Sequence, residues 1–299
     1  MQIRRGPATV IGERTSLATA ASWKARRAAI REPGHSRRRI LRTGTVYPER
    51  ADGSMSRRFW VPAEPSTADL PAVLAEIAQI NTYFAIGTGP VDNSWCSVHQ
   101  LYTDPALIDG IVERVQARIG AAEPRVAASI LFLGFAARLW SIGLGAVVGH
   151  GLLPDLAAER LLYRETGGQI TLHIADPVGW QGDDLESMLA DNILDGNLTP
   201  LGAALQPISR ELLRGNAASA LLGAAREYDR HRATISPGPG EQMARRLCED
   251  ERLSGTVSFN GHSHRRSSCC LYYRTSNGGL CGDCVFTHTP DTLGRKDAS

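Results

Sequence analysis

The sequence predicts an α+β fold: a predominantly α-helical body with a small β component and a C-terminal cysteine-rich module. Three observations predict it. Apolar residues recur at helical spacing over most of residues 64 to 231, one short stretch alternates with period two, and four of the six cysteines fall within 16 residues near the C-terminus. At 299 residues, 42% hydrophobic and 21% charged, the chain can bury one large core, or one main domain with a small appendage.

The N-terminal region comes first. Residues 1 to 50 hold 12 Lys and Arg against 3 Asp and Glu, which accounts for more than the whole formal charge of +2 and leaves a mildly acidic body. A nucleic-acid binder would carry its basic residues clustered on the folded domain, so that function class is not expected. Residues 1–54, with Ala-Arg-Arg-Ala and Ser-Arg-Arg-Arg runs and few apolar periods, read as a basic, disordered extension. Met55 opens Met-Ser-Arg-Arg-Phe-Trp and reads as an alternative start; the Arg-rich, acid-poor composition also resembles a transit peptide. There is no continuous apolar h-region, so export is not expected.

Residues 55–240 are expected to form the mainly helical body. The strongest helix follows Asp104, a capping residue, and Pro105: Leu107, Ile108, Ile111, Val112, Val115 and Ile119 then share a face until Gly120 ends the segment. Asp69 to Ile80, Arg125 to Leu139, Pro154 to Tyr163, Asp183 to Leu194, Thr199 to Arg214 and Asn216 to His231 read as further helices, with Pro207 a break. The most apolar stretch, Val126 to Leu156, contains Arg138, His150 and five glycines, and reads as buried core helices and not as a membrane span. After Gly167-Gly168, the alternation of Ile170, Leu172 and Ile174 predicts a half-buried strand. Gly143-Leu-Gly-Ala lacks the third glycine and the preceding strand of a dinucleotide fingerprint.

Ser236-Pro-Gly-Pro-Gly240 is the clearest breaker of the second half. Beyond it, residues 241–290 are expected to form the cysteine module, beginning with a short helix from Glu241 to Cys248, and 291–299 a tail. In the module Cys269 and Cys270 are adjacent, ten residues separate them from Cys281, and Cys284 completes a Cys-x-x-Cys pair. That last spacing can place two thiolates on one metal ion, Gly282 leaves room for backbone N–H groups beside sulfur, and Gly278-Gly279 supplies the reversal toward the first pair. Adjacent cysteines point to opposite faces of extended chain and converge only if the backbone kinks. Zinc sites space their paired ligands by two or more residues, a vicinal disulfide is strained, and thiols packed as small hydrophobes are rare in so polar a loop. A metal site in a reducing compartment is the favoured reading, with those three as the competing ones.

The arrangement Cys-Cys-x10-Cys-x-x-Cys, set in Cys-Cys-Leu-Tyr-Tyr-Arg and Gly-Gly-Leu-Cys-Gly-Asp-Cys, closely resembles the FhuF-like family of ferric siderophore reductases. The helix containing Leu212-Leu-Arg-Gly-Asn216-Ala-Ala-Ser-Ala220 is similar to one in that family, and the resemblance runs from about residue 66 to 288. It implies a C-terminal [2Fe-2S] module whose cluster is ligated by Cys269, Cys270, Cys281 and Cys284. It also implies a bacterial cytoplasmic oxidoreductase, in places membrane-peripheral, that passes one electron to a ferric hydroxamate siderophore and releases Fe(II). The expected partners are the ferric siderophore, an electron donor of ferredoxin or NAD(P)H-dependent reductase type, and an inner-membrane importer met transiently.

Nearby positive charge raises the potential of an anionic cluster, and Arg265, Arg266, Arg274, His262 and His264 are the local candidates, opposed by Asp283. Trp140, His150, Trp180, Tyr272 and Tyr273 could wall a bulky chelate, but core packing is the ordinary role of such residues and none is assigned to the site. Cys96 and Cys248 are expected to be buried thiols. Competing functions are a siderophore-binding protein with a structural cluster, an iron-sulfur carrier or regulator with a transferable one, and a zinc-binding interaction module.

Overall fold

The computed structural model describes residues 69–205, 207–233 and 237–290. The expectations for 1–54 and 291–299 lie outside them. Helix α1 is Leu70–Ile77 and α2 is Val98–Thr103, where Ser97 and Gln100 form a reciprocal capping box. Helix α3, Pro105–Ile119, begins and ends where its cap residues dictate: the Asp104 side chain accepts from the Ala106 N–H, and Gly120 takes the left-handed conformation at φ 59°. Ile108, Ile111 and Val115 are its buried stripe, each contributing roughly 1.5–3 kcal/mol through removal from water.

Helix α4, Pro124–His150, runs 27 residues without interruption, where a set of shorter helices was expected. The glycines do not break it because they are contact points. A Cβ on Gly143 would stand 2.4 Å from Cδ1 of Leu189, and one on Gly145 3.0 Å from the Phe84 ring. Neighbouring elements close onto the helix at those positions, and that packing offsets the entropic cost of glycine. By length and mean hydropathy (1.8) α4 could cross a membrane, yet 72% of its most apolar window is buried inside the protein. It is the central core helix.

Strands β1 (Gly87–Thr88), β2 (Cys96–Ser97), β4 (Leu161–Thr166) and β5 (Gln169–Ile174) form one mixed sheet in the order β1-β5-β4-β2, with β1 and β5 parallel. The β4–β5 hairpin turns on Gly167 and Gly168, both at positive φ, as a tight two-residue reversal demands. A separate pair, β3 (Leu153–Pro154) with β6 (Gly179–Trp180), precedes helix α5, Leu185–Ala190. These elements correct the helix expected from Pro154 to Tyr163. The Asp155 N–H bonds to Val178 O at 2.8 Å and its side chain accepts from Ala157 N at 3.0 Å, so the segment turns into β4. β3 pairs with Gly179–Trp180, and β4 with the strand that follows it and with Cys96–Ser97; this pairing overrides the helical spacing of the apolar residues.

After α5 come a π-helical segment, Asp191–Leu198, and α6, Thr199–Ala204. Buried Asn197 ties this region together, donating to the carbonyls of Leu156 and Asn192 and accepting from the Tyr102 hydroxyl. Helix α7, Arg210–His231, starts beyond Pro207 under a Ser209 cap and packs along α4. Helix α8, Pro239–Leu247, follows the Pro/Gly breaker, with Asp229 accepting from the N–H groups of Gly240 and Glu241. The β7–β8 hairpin, Val257–Asn260 with Ser263–Arg266, leads into the cysteine segment.

Candidate metal centre

The cysteine segment leaves β8 and lies across α7. Gly215 permits this approach, because a Cβ there would be 2.2 Å from the Ser268 hydroxyl, which donates instead to Glu211 O. The kink that adjacent cysteines require falls at Leu271, a non-glycine residue at φ 66°. From that strained position the N–H of Leu271 donates back to Cys269 Sγ at 3.3 Å. A single 3-10 turn, Tyr272–Arg274, then carries the chain to the α3–α4 junction. Ser276 caps the end of α3 by donating its N–H and hydroxyl to Ile119 O, and Arg274 pairs with Glu123.

The return path depends on Gly278, where a Cβ would meet Tyr272 O at 2.0 Å. Cys281 and Cys284 close a turn through the Cys284 N–H to Cys281 O bond of 3.1 Å, and Phe286 N–H donates to Cys284 Sγ at 3.4 Å. The N–H groups that reach sulfur thus follow the cysteines by two residues; Gly282, expected to make room for them, stands in open space. Arg266 N–H to Asp283 O, 2.9 Å, fastens the start of the loop to its end.

Across the loop, Cys270 Sγ and Cys281 Sγ stand 3.7 Å apart. Cys270 and Cys284 are buried and Cys269 and Cys281 partly exposed. A hydrogen bond from Cys270 brings the Cys269 thiol down to about 7 against the opposing effect of burial, with help from Leu271 N–H and the Arg266 charge. Cys281 is pushed up by its contact with Cys270 and by burial. Of Cys269, Cys270 and Cys281, Cys269 is the one whose surroundings favour the thiolate that metals bind.

Beneath the loop runs a buried polar chain. Ser129 on α4 donates its hydroxyl to Cys270 O at 2.8 Å. Asn216 on α7 donates to Ser129 Oγ and O at 3.0 and 3.1 Å, and accepts from Arg266 Nη2 at 2.6 Å. Arg266 is only 1% exposed, and its Nε and Nη1 have no hydrogen-bond partner among the described residues.

These are the residues from which a family can be recognised. Residues 266–286 match the FhuF 2Fe-2S C-terminal domain. All four cysteines lie inside that match, so the resemblance read from the motif is shown over this segment, and the cofactor of this FhuF-type domain is a [2Fe-2S] cluster. No curated protein matches the chain.

The donor set fits such a group. A tetrahedral metal with bonds of about 2.3 Å to sulfur separates two thiolates by about 3.8 Å, close to the Cys270–Cys281 distance. Among the described residues no three His, Cys, Asp or Glu side chains are gathered for a single ion.

The basic residues flagged from sequence separate sharply. Arg265 is exposed, and Arg274 is committed to Glu123 and the Tyr273 hydroxyl. His264 lies 3.8 Å from Asp283 and is held below its ordinary range by burial. Burial alone would raise the Asp283 carboxyl, but the Ser219 hydrogen bond, the Arg266 charge and Cys281 outweigh it. His262 and His264 line a cavity of about 220 Å³ with Leu222, Arg226, Glu241 and Phe259. Trp140 and Trp180 are core residues, whereas Tyr272 and Leu280, flanking the cysteines, are 41% and 37% exposed.

Cys248 is buried as expected, but Cys96 is exposed. The correction has a topological cause, since β2 is the sheet's edge strand. Ser129 and Asn216 were not identified as site residues. An asparagine amid small helical residues was the one available signal for Asn216; Ser129 offered none.

Proposed function

We propose that the chain is a ferric siderophore reductase acting on hydroxamate-type chelates, with Cys269, Cys270, Cys281 and Cys284 as the cluster ligands. The observation that carries this reading is the FhuF-type segment, whose sulfurs lie in a loop with an exposed rim. A [2Fe-2S] cluster bound there supplies transfer of one electron at a time. Fe(III) in a hard-oxygen chelate gains that electron and becomes Fe(II), which such ligands hold less tightly; a ferredoxin or NAD(P)H-dependent reductase replaces the electron.

The chain's own residues provide the conditions for this. Ser129, Glu123 and Ile119 tie the loop to α3 and α4, so the sulfurs keep their spacing. Tyr272 and Leu280 present an apolar rim on which a bulky chelate or a donor protein can settle. Free cysteines throughout the chain are in keeping with a reducing bacterial cytoplasm, and contact with an inner-membrane importer would deliver the substrate.

Anaerobic full-length protein, reduced with dithionite and mixed with a ferric hydroxamate, tests the proposal by visible and EPR spectroscopy. Reoxidation matched by Fe(II) appearance is the expected result; a reduced cluster left unchanged by the chelate would refute it. Cys281→Ser should abolish the cluster signal and the Fe(II) yield while leaving the helical circular dichroism in place.

A further inference from the structure

Arg266 is a buried cation whose charge meets no carboxylate at ion-pair distance among the described residues. Its Nη2 is held by a neutral amide, Asn216 Oδ1, at 2.6 Å, and its Nε and Nη1 are buried without partners. Asp283 accepts the Arg266 backbone N–H through its own carbonyl; its carboxylate feels the Arg266 charge and a Ser219 hydrogen bond, while its Oδ2 makes no hydrogen bond among the described residues and faces His264 at 3.8 Å. Guanidinium groups are costly to bury unless an anion and further acceptors satisfy them. The architecture nevertheless fixes this one in place: Gly215 clears the way, and Asn216 is itself anchored by the Ser129 that holds Cys270 O.

We propose that Arg266 is the buried counter-charge of the cluster, a positioning residue whose unpartnered N–H groups are kept for the sulfur anion and which raises its reduction potential. The inference rests on the reading that the four cysteines carry the cluster. It selects Arg266 from five basic candidates: Arg274 is consumed by Glu123, Arg265 stands in solvent, His264 is directed to Asp283 and His262 is exposed. Cation and hydrogen-bond donors beside a cluster stabilise its more negative, reduced state.

The test is a redox titration of the full chain, followed by EPR, for wild type, Arg266→Gln, Arg266→Lys and the exposed control Arg265→Gln. Arg266→Gln should lower the one-electron reduction equilibrium tenfold or more, a downward shift of at least 59 mV. Arg266→Lys and Arg265→Gln should stay much closer to wild type. A loaded Arg266→Gln protein with an unchanged or raised midpoint overturns the proposal. Should Arg266→Gln fold but hold no cluster, loading of Arg266→Lys supports a requirement for charge, whereas two empty proteins with intact helical dichroism overturn it in favour of shape. A wild type without a reversible [2Fe-2S] signal instead defeats the ligand reading itself.

Discussion

Arg266 on β8 and Asn216 on α7 meet through a 2.6 Å hydrogen bond in a site from which both side chains are excluded from water. Fifty residues apart in sequence, they join the cysteine segment to the helical body. Because Asn216 also donates to Ser129, whose hydroxyl holds Cys270 O, one amide serves α4, α7 and the cysteine loop.

Removing that amide should therefore be costly. Asn216→Leu leaves the Arg266 Nη2 donor and the Ser129 acceptors buried without it, and about 2–4 kcal/mol of stability should be lost. Ser129→Ala, which removes a single hydroxyl, should cost about 1 kcal/mol. Chemical denaturation with matched m-values measures both, and equal losses would contradict the shared role of Asn216.

Two neighbouring glycines should respond in opposite ways to the same change. A methyl on Gly278 would collide with Tyr272 O at 2.0 Å, while one on Gly279 meets nothing within 4 Å. Gly278→Ala should cost about 1–3 kcal/mol through forced backbone movement and release iron. Gly279→Ala should retain wild-type iron content by colorimetric assay.

The two cysteines outside the cluster segment should differ in reactivity. Cys96 is exposed, whereas Cys248 is buried and its thiol pushed up to about 12 by desolvation. Iodoacetamide on the native protein should label Cys96 and spare Cys248 until denaturant is added. Peptide mass mapping reads the outcome.

Asp155 carries a pH signature. Burial raises its carboxyl, against the opposing Ala157 N–H and Arg160. The folded state therefore holds this proton to higher pH than the unfolded chain does, and the contribution of Asp155 to stability declines as pH rises from its unfolded value through its raised folded one. Asp155→Asn removes that decline, so the melting temperature of the variant relative to wild type should increase across the window. A constant difference would refute the shift.

What local chemistry encodes was legible. Asp104, Pro105 and Gly120 state where α3 begins and ends, and Gly167-Gly168 marks the β4–β5 turn, because caps and tight turns are decided by a few adjacent residues. The cysteine spacing points to a metal site and leaves zinc, a disulfide and packed thiols as alternatives; the resemblance of residues 266–286 to the FhuF 2Fe-2S domain names the cluster. Tertiary effects were not legible. The glycines of α4 suggest interruptions that the packing of Leu189 and Phe84 against them removes, and the apolar run after Pro154 has helical spacing although its residues pair as strands with Gly179–Trp180, with β5 and with Cys96–Ser97. Ser129 contacts Cys270 across 141 positions of sequence, a distance over which no pattern of neighbours carries information.

The fastening of the cysteine loop at Ile119, Glu123 and Ser129 bears on speed as well as stability. Electron exchange is slowed whenever donor atoms must relocate as the oxidation level changes. A loop clamped to the end of α3 and the start of α4 leaves its sulfurs little freedom to relocate, so the nuclear rearrangement accompanying each electron exchange should be small. Electron exchange would then be governed by how closely a redox partner approaches the rim of Tyr272 and Leu280, and by driving force, with no loop remodelling to wait for.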